Sequence, residues 1–116
     1  MKLSEAMRKG IEMTLPLKGE LIEWAEDRED LYACALGAAF VGFYGAFEPK
    51  ALGCICALFK EDFPISRVSV TFPERTKLGF LVDCTLSTAI TILNDDKGWS
   101  RERIADWVES IEKDLA

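Results

Sequence analysis

Four cysteines, twenty acidic side chains and no histidine set the chemistry open to this chain. A thiolate is a nucleophile or a soft metal ligand, so a pocket combining Cys34, Cys54 or Cys84 with a carboxylate such as Asp83 is one candidate arrangement. The missing imidazole removes the Ser-His-Asp triad, the Cys-His pair, histidine-ligated metals and histidine pH switching. An enzyme built on this chain would work through carboxylates, lysine, or a thiolate activated by something other than imidazole.

Cys34, Cys54, Cys56 and Cys84 all lie inside strongly apolar segments, the setting of reduced core thiols. A four-thiolate zinc site uses knuckles with two to four residues between ligands, placed in turns. Cys54 and Cys56 are separated by one residue within Leu52 to Phe59. On a helix their side chains diverge by about 200°. The expectation is four buried thiols, with no metal, no cofactor and no assigned catalytic residue.

Asn94, Asp95 and Asp96 before Gly98 resemble a calcium loop, but the register fails. With Gly98 in sixth place, Leu93 would be the first ligand and Ile104 the twelfth, and neither binds a hard cation. Gly37 and Gly42 have the spacing of a phosphate loop without the following lysine. Ser100-Arg101-Glu102 leading into Ile104-Ala105 resembles the first helix of a DNA-binding helix-turn-helix. That reading leaves Ile104 to Leu115 as the only recognition helix, on a surface whose charges are balanced rather than basic. Nucleic acid is not expected as a partner.

The elements that would hold these residues can be read from periodicity. Leu86, Ala89, Ile90 and Leu93 make a helical stripe after Asp83, which Gly98 can end in the left-handed conformation. Ser100 is placed to cap the next helix, with Trp99 and Ile104 as a hydrophobic staple across it. Ile104, Trp107, Val108, Ile111 and Leu115 form the inward face. The result is a helical hairpin from about 83 to 115. At the other end, Ser4 caps a short helix with Met7 and Ile11 inward, and Pro16 ends it.

Between them, Leu21 to Trp24 reads as a short strand or the start of a helix, with Trp24 at a core edge or in a partner contact. Glu26 to Asp30 reads as a solvated acidic loop before a helix N-terminus. Leu31 to Phe47 carries no charge over 17 residues, the lower edge of a membrane span. Its glycines and its amphipathic surroundings favour a buried core helix instead. Ala33, Gly37, Ala38 and Gly42 would let another helix approach its backbone closely. A second helix begins at Pro49, and Ala35-Leu36-Gly37 recurs there as Ala51-Leu52-Gly53, so the two helices are expected to pack on each other. Val68, Val70 and Phe72 alternate with Arg67, Ser69 and Thr71, which is strand periodicity bracketed by Pro64 and Pro73. This segment either pairs with Leu21 to Trp24 or is a long connection. Arg67, Arg75 and Lys77 form a basic cluster expected to pair with the acidic surface.

These segments add up to one domain over residues 1–116, mainly α: a compact bundle of about four to five helices with one short extended or edge-strand segment near 67–72. Net charge −6 disfavours nucleic acid and anionic membrane, and the N-terminal segment has no apolar core of the signal-peptide kind. A cytoplasmic location is expected, where thiols stay reduced.

Cys34-Ala-Leu-Gly-Ala-Ala39, together with Leu93-Asn-Asp and Trp99-Ser-Arg-Glu-x-Ile-Ala-Asp-Trp107, resembles small uncharacterised proteins encoded in bacterial and phage or prophage genomes. The resemblance covers about a quarter of the chain and implies a bacterial or viral accessory protein, with no activity or site residue attached. Combined with three Trp and an acidic surface, it favours binding to another protein or to a second copy. The alternatives are a small-molecule binder or enzyme with a Cys/carboxylate pocket, and weak nucleic-acid binding through the C-terminal hairpin.

Overall fold

A computed structural model describes residues 1–116. Helix α1 (Leu3–Met13) leads through β1 (Leu15–Pro16) into β2 (Ile22–Trp24) and β3 (Leu31–Ala33). Helix α2 (Ala35–Tyr44) follows, then a 3-10 turn at Pro49–Ala51 that continues into α3 (Leu52–Asp62). A second 3-10 turn at Pro64–Arg67 opens onto β4 (Ser69–Thr71), β5 (Asp83–Thr85), α4 (Leu86–Asp95) and α5 (Arg101–Leu115). Helix makes up 55% of the chain and strand 12%, so the expected helices are joined by five short strands rather than one extended segment.

Helix α2 is the centre of the molecule because its sequence leaves no polar face: every residue from Ala35 to Gly42 is buried. The small residues on it do admit another helix, but that helix is α1 and not the expected one after Pro49, whose own Gly53 faces open space. A methyl group added at Gly42 would lie 1.9 Å from the Ala6 carbonyl oxygen, and one added at Gly10 would lie 1.6 Å from that of Ala38. The two backbones touch where no side chain intervenes. Gly37 serves a different neighbour: its missing side chain leaves room for the Leu21 carbonyl oxygen, which would lie 1.8 Å from a methyl group added there.

The apolar interior has two parts. The larger joins α1, α2, α4 and α5 through residues such as Met7, Phe40, Ile90, Leu93, Ile104 and Val108. The smaller, Ile22, Leu31, Ala33, Ala38 and Val41, lies between α2 and a three-stranded sheet ordered β1-β3-β2. In that sheet β3 runs parallel to β1 and antiparallel to β2, with Ile22 opposite Ala33 and Trp24 opposite Leu31. Segment 21–24 is thus a strand, but its partner is 31–33 and not 67–72. Segment 69–71 pairs with 83–85 instead, antiparallel, with Val70 opposite Cys84. The acidic loop Glu26 to Asp30 is exposed as expected, yet it turns one strand into the next and does not lead into a helix. Trp24 is a core edge: it packs on the smaller cluster and donates its indole N–H to the Phe47 carbonyl at 3.2 Å.

Several boundaries differ from the periodicity reading. Helix α1 starts ahead of Ser4, with Lys2 in the cap position, because Ser4 is buried and its hydroxyl is taken by the Glu112 carboxylate of α5. It ends at Met13, ahead of Pro16, which lies in β1. The C-terminal hairpin begins at Leu86, with Thr85 as its cap, since Asp83–Thr85 pair as a strand. Leu115 is exposed rather than inward. The corner itself follows the sequence closely: Gly98 takes φ +67°, and the Ser100 hydroxyl accepts the Arg103 N–H at 3.1 Å. Trp99 packs at the edge of the cluster that contains Ile104.

Two substitutions test this packing. Ser100→Ala should lower stability by roughly 1 kcal/mol, the usual worth of an N-cap hydroxyl, read as a drop in urea midpoint at constant slope. Gly10→Ala should cost about 1–3 kcal/mol or more, because the helix pair must separate to admit one methyl. A Gly10→Ala protein as stable as its parent would mean that α1 and α2 do not approach this closely.

Candidate interaction surface

The candidate chemical residues do not converge. Cys34 is buried as the N-cap of α2, its sulfur accepting the Gly37 N–H at 3.3 Å. Cys56 and Cys84 are half-buried, and Cys54 is exposed on α3. The expectation of four core thiols therefore holds for one of them. Helix α3 faces the core only through one side, led by Phe59, which leaves Cys54 in solvent. Burial pushes the thiols of Cys34, Cys56 and Cys84 above the ordinary cysteine pKa, the opposite of what an activated nucleophile needs. Asp83 is exposed and accepts the Thr71 hydroxyl at 3.1 Å. No three Cys, Asp or Glu side chains gather where a cation could be held.

Two polar side chains that the sequence shows only within the calcium-loop and helix-turn-helix resemblances are interior ties. Asn94 is buried; its amide oxygen accepts the Ala35 N–H at 3.0 Å and its amide nitrogen donates to the Leu17 carbonyl at 2.9 Å. It satisfies one of the orphan donors at the start of α2 from a different helix. Its neighbour Asp95 accepts the Gly19 N–H at 3.0 Å, holding the same loop.

Arg101, at the first position of α5, is only 6% exposed. Its guanidinium donates to the Thr14 hydroxyl at 2.7 Å, the Thr14 carbonyl at 3.0 Å and the Ala33 carbonyl at 3.3 Å. No carboxylate pairs with it, and its Nε has no partner. Burial pulls its pKa below the arginine norm. Its positive charge sits at the carbonyl end of α1, where the helix dipole favours a cation. The motif-like Ser-Arg-Glu-Arg segment is thereby used up in structure: Arg101 faces inward and Arg103 stacks on Trp99, 3.6 Å from the ring centroid.

The most exposed apolar residues lie in the hairpin between β4 and β5. Leu78 is 83% exposed and Phe80 64%, and their chain neighbours Leu81 and Val82 are exposed as well. The tip is ordered by its own hydrogen bonds. Thr76 N–H donates to the Phe80 carbonyl and Gly79 N–H to the Thr76 carbonyl, both at 2.8 Å. The Phe80 N–H reaches the Thr76 hydroxyl at 3.1 Å, and Arg75 donates to the Gly79 carbonyl at 3.0 Å. Gly79 takes φ +85°, a conformation that a residue with a side chain rarely adopts.

Below the tip, Phe72 N–H donates to the Val82 carbonyl at 2.8 Å, and the Trp99 indole N–H donates to Glu74. The C-terminal corner thus braces the hairpin stem. Arg67, Arg75 and Lys77 make no ion pair, contrary to the expectation that acidic neighbours would neutralise them. A cleft of about 210 Å³ beside the stem is lined by Phe72, Val82, Cys84 and Ile92, with Arg75 and Lys97 at its edge. Drug-sized ligands usually occupy sites of roughly 300–1,000 Å³, a range that this cleft does not reach but that two others do, one of about 430 Å³ beside Trp24 and Tyr32 and one of about 340 Å³ beside Arg8 and Asp106. No helix is long and apolar enough to cross a membrane.

Comparison with protein-family models, with curated proteins and with solved structures finds no match to this chain.

Asn94→Ala should destabilise the fold by about 1–3 kcal/mol, because the Ala35 donor and the Leu17 acceptor lose their partner inside the protein. Chemical denaturation reads this directly, and a loss under about 0.5 kcal/mol would show that water replaces the amide at no cost.

Proposed function

We propose that this chain is a protein-binding accessory module that engages its partner through the hairpin tip at Leu78, Phe80, Leu81 and Val82. The observation that carries the reading is exposure of large apolar side chains on a turn that its own hydrogen bonds already hold. Apolar side chains grouped at the surface mark interaction sites. A pre-ordered turn gives up little conformational entropy on docking. Arg75 and Lys77 beside the tip suit a partner whose apolar recess has an acidic rim.

The same reading takes the chain as a cytoplasmic protein of bacterial or phage origin, resting on the resemblance of the Cys34–Ala39 and Leu93–Trp107 segments. The alternatives have less support. A Cys/carboxylate site would need thiols of lowered pKa, and those with a resolved shift move upward. Nucleic-acid binding through the terminal helices would need the arginines of that segment, which are engaged elsewhere.

The test places a photo-crosslinking amino acid at Leu78 or Phe80, with Lys113 as the distant control, in cells that naturally carry the gene. One common adduct from both tip positions, absent from the control, is the expected result. Adducts that are the same from all three positions, or none from the tip, would sink the proposal. Phe80→Ser should abolish the Leu78 adduct while changing stability by less than about 0.5 kcal/mol, as for other exposed positions.

A further inference from the structure

A second surface of the molecule is apolar and uncovered, and it lies on α3. Lys50, in the turn that leads into the helix, and Gly53, Cys54, Ala57, Leu58 and Glu61 are all exposed. Their spacing puts them along one helical face, opposite the face that buries Phe59. The middle of this stripe is uncharged, with Lys50 at one end and Glu61 at the other, where Lys60 and Asp62 are exposed on either side of it. Leu58 is 48% exposed, a knob with nothing to fill. Gly53 is a matching notch only in lacking a side chain: the surface around it is open, and a methyl group added there meets no atom within 4 Å.

The geometry points to a second copy of this chain as the occupant, packed antiparallel, α3 against α3, about a two-fold axis passing between Ile55 and Cys56. In that register Leu58 of each copy enters the notch at Gly53 of the other. Cys54 lies beside Ala57, whose small side chains let the backbones come close. Lys50 meets Glu61, so the two ends of the contact carry two equivalent ion pairs. A parallel arrangement would set Lys50 against Lys50 and Glu61 against Glu61. The stripe is therefore self-complementary in one orientation only, as an isologous interface requires.

The chain's net charge of −6 opposes self-association in general, and the contact offsets part of this penalty because its ends bring Lys50 to Glu61. Three turns of helix cover less than the roughly 800 Å² per partner of a standard stable interface. The dimer is accordingly reversible and dissociates on dilution. It is independent of the hairpin, which remains free to bind another protein.

Sedimentation equilibrium with reductant present, over a range reaching about 1 mM chain, should show a monomer–dimer equilibrium. Gly53→Leu fills the notch in a position where the folded monomer has room, so it should abolish dimers while the circular dichroism spectrum stays that of the parent and the melting temperature is no lower, leucine being the better helix former. Lys50→Glu should weaken association roughly tenfold by replacing two attractions with two repulsions. Lys50→Glu combined with Glu61→Lys should restore it. Phe80→Ser should leave the equilibrium unchanged, so failure of the hairpin proposal and failure of this one are separable. A protein that stays monomeric throughout, or a charge reversal that the second reversal does not rescue, would overturn the inference.

Discussion

The close approach of α1 to α2 is the constraint on which the remaining packing depends. With Gly10 against the Ala38 carbonyl and Gly42 against that of Ala6, the two helices act as one thick element with an apolar seam. Helix α5 then lies along α1, tied from the solvent side by Arg8 to Asp106 and Glu109, each at 2.8 Å, and further in by buried Ser4 to Glu112. The Arg8 side chain holds the Glu109 carboxyl below the ordinary range, but the pair is exposed enough for water and salt to weaken it. The seam of backbone contact, not these ion pairs, sets the spacing.

Given that seam, the polar groups left inside must find their partners within the protein. Arg101 and Asn94 do this by addressing helix ends: the carbonyl end of α1 in one case and the amide end of α2 in the other. Both ties join segments far apart in the chain. A buried arginine paired only with carbonyls and a hydroxyl is costly to desolvate, and the dipole of α1 offsets part of that cost. These residues give the interior a defined arrangement that apolar packing alone would leave looser.

The same packing explains where apolar side chains are left outside. A core centred on α2 is closed by α1, α4, α5 and the small sheet, so α3 buries mainly Phe59 and its neighbours on one face. The hairpin beyond Phe72 has no core to face at all. Both regions are apolar in sequence and exposed in the fold, and the two proposed contacts are located there for that reason.

Local rules written in the chain set the helices and the corner at Gly98 and Ser100, because periodicity and caps act over a few residues. They also made α2 central, since a helix with no polar face must be buried, and marked a small-residue stripe that would receive another helix. The alternation from Arg67 to Phe72 was legible as a strand for the same local reason. Strand partners were not, because 21–24 could satisfy its backbone with either of two later segments and only the placement of α2 selects 31–33. The exposure of Cys54, Leu58 and Leu78 was equally hidden: an apolar segment reads as core until the tertiary structure shows that other segments have already filled it. Arg101 and Asn94 looked like surface residues since their type favours solvent, and only the meeting of distant helix ends made burying them favourable.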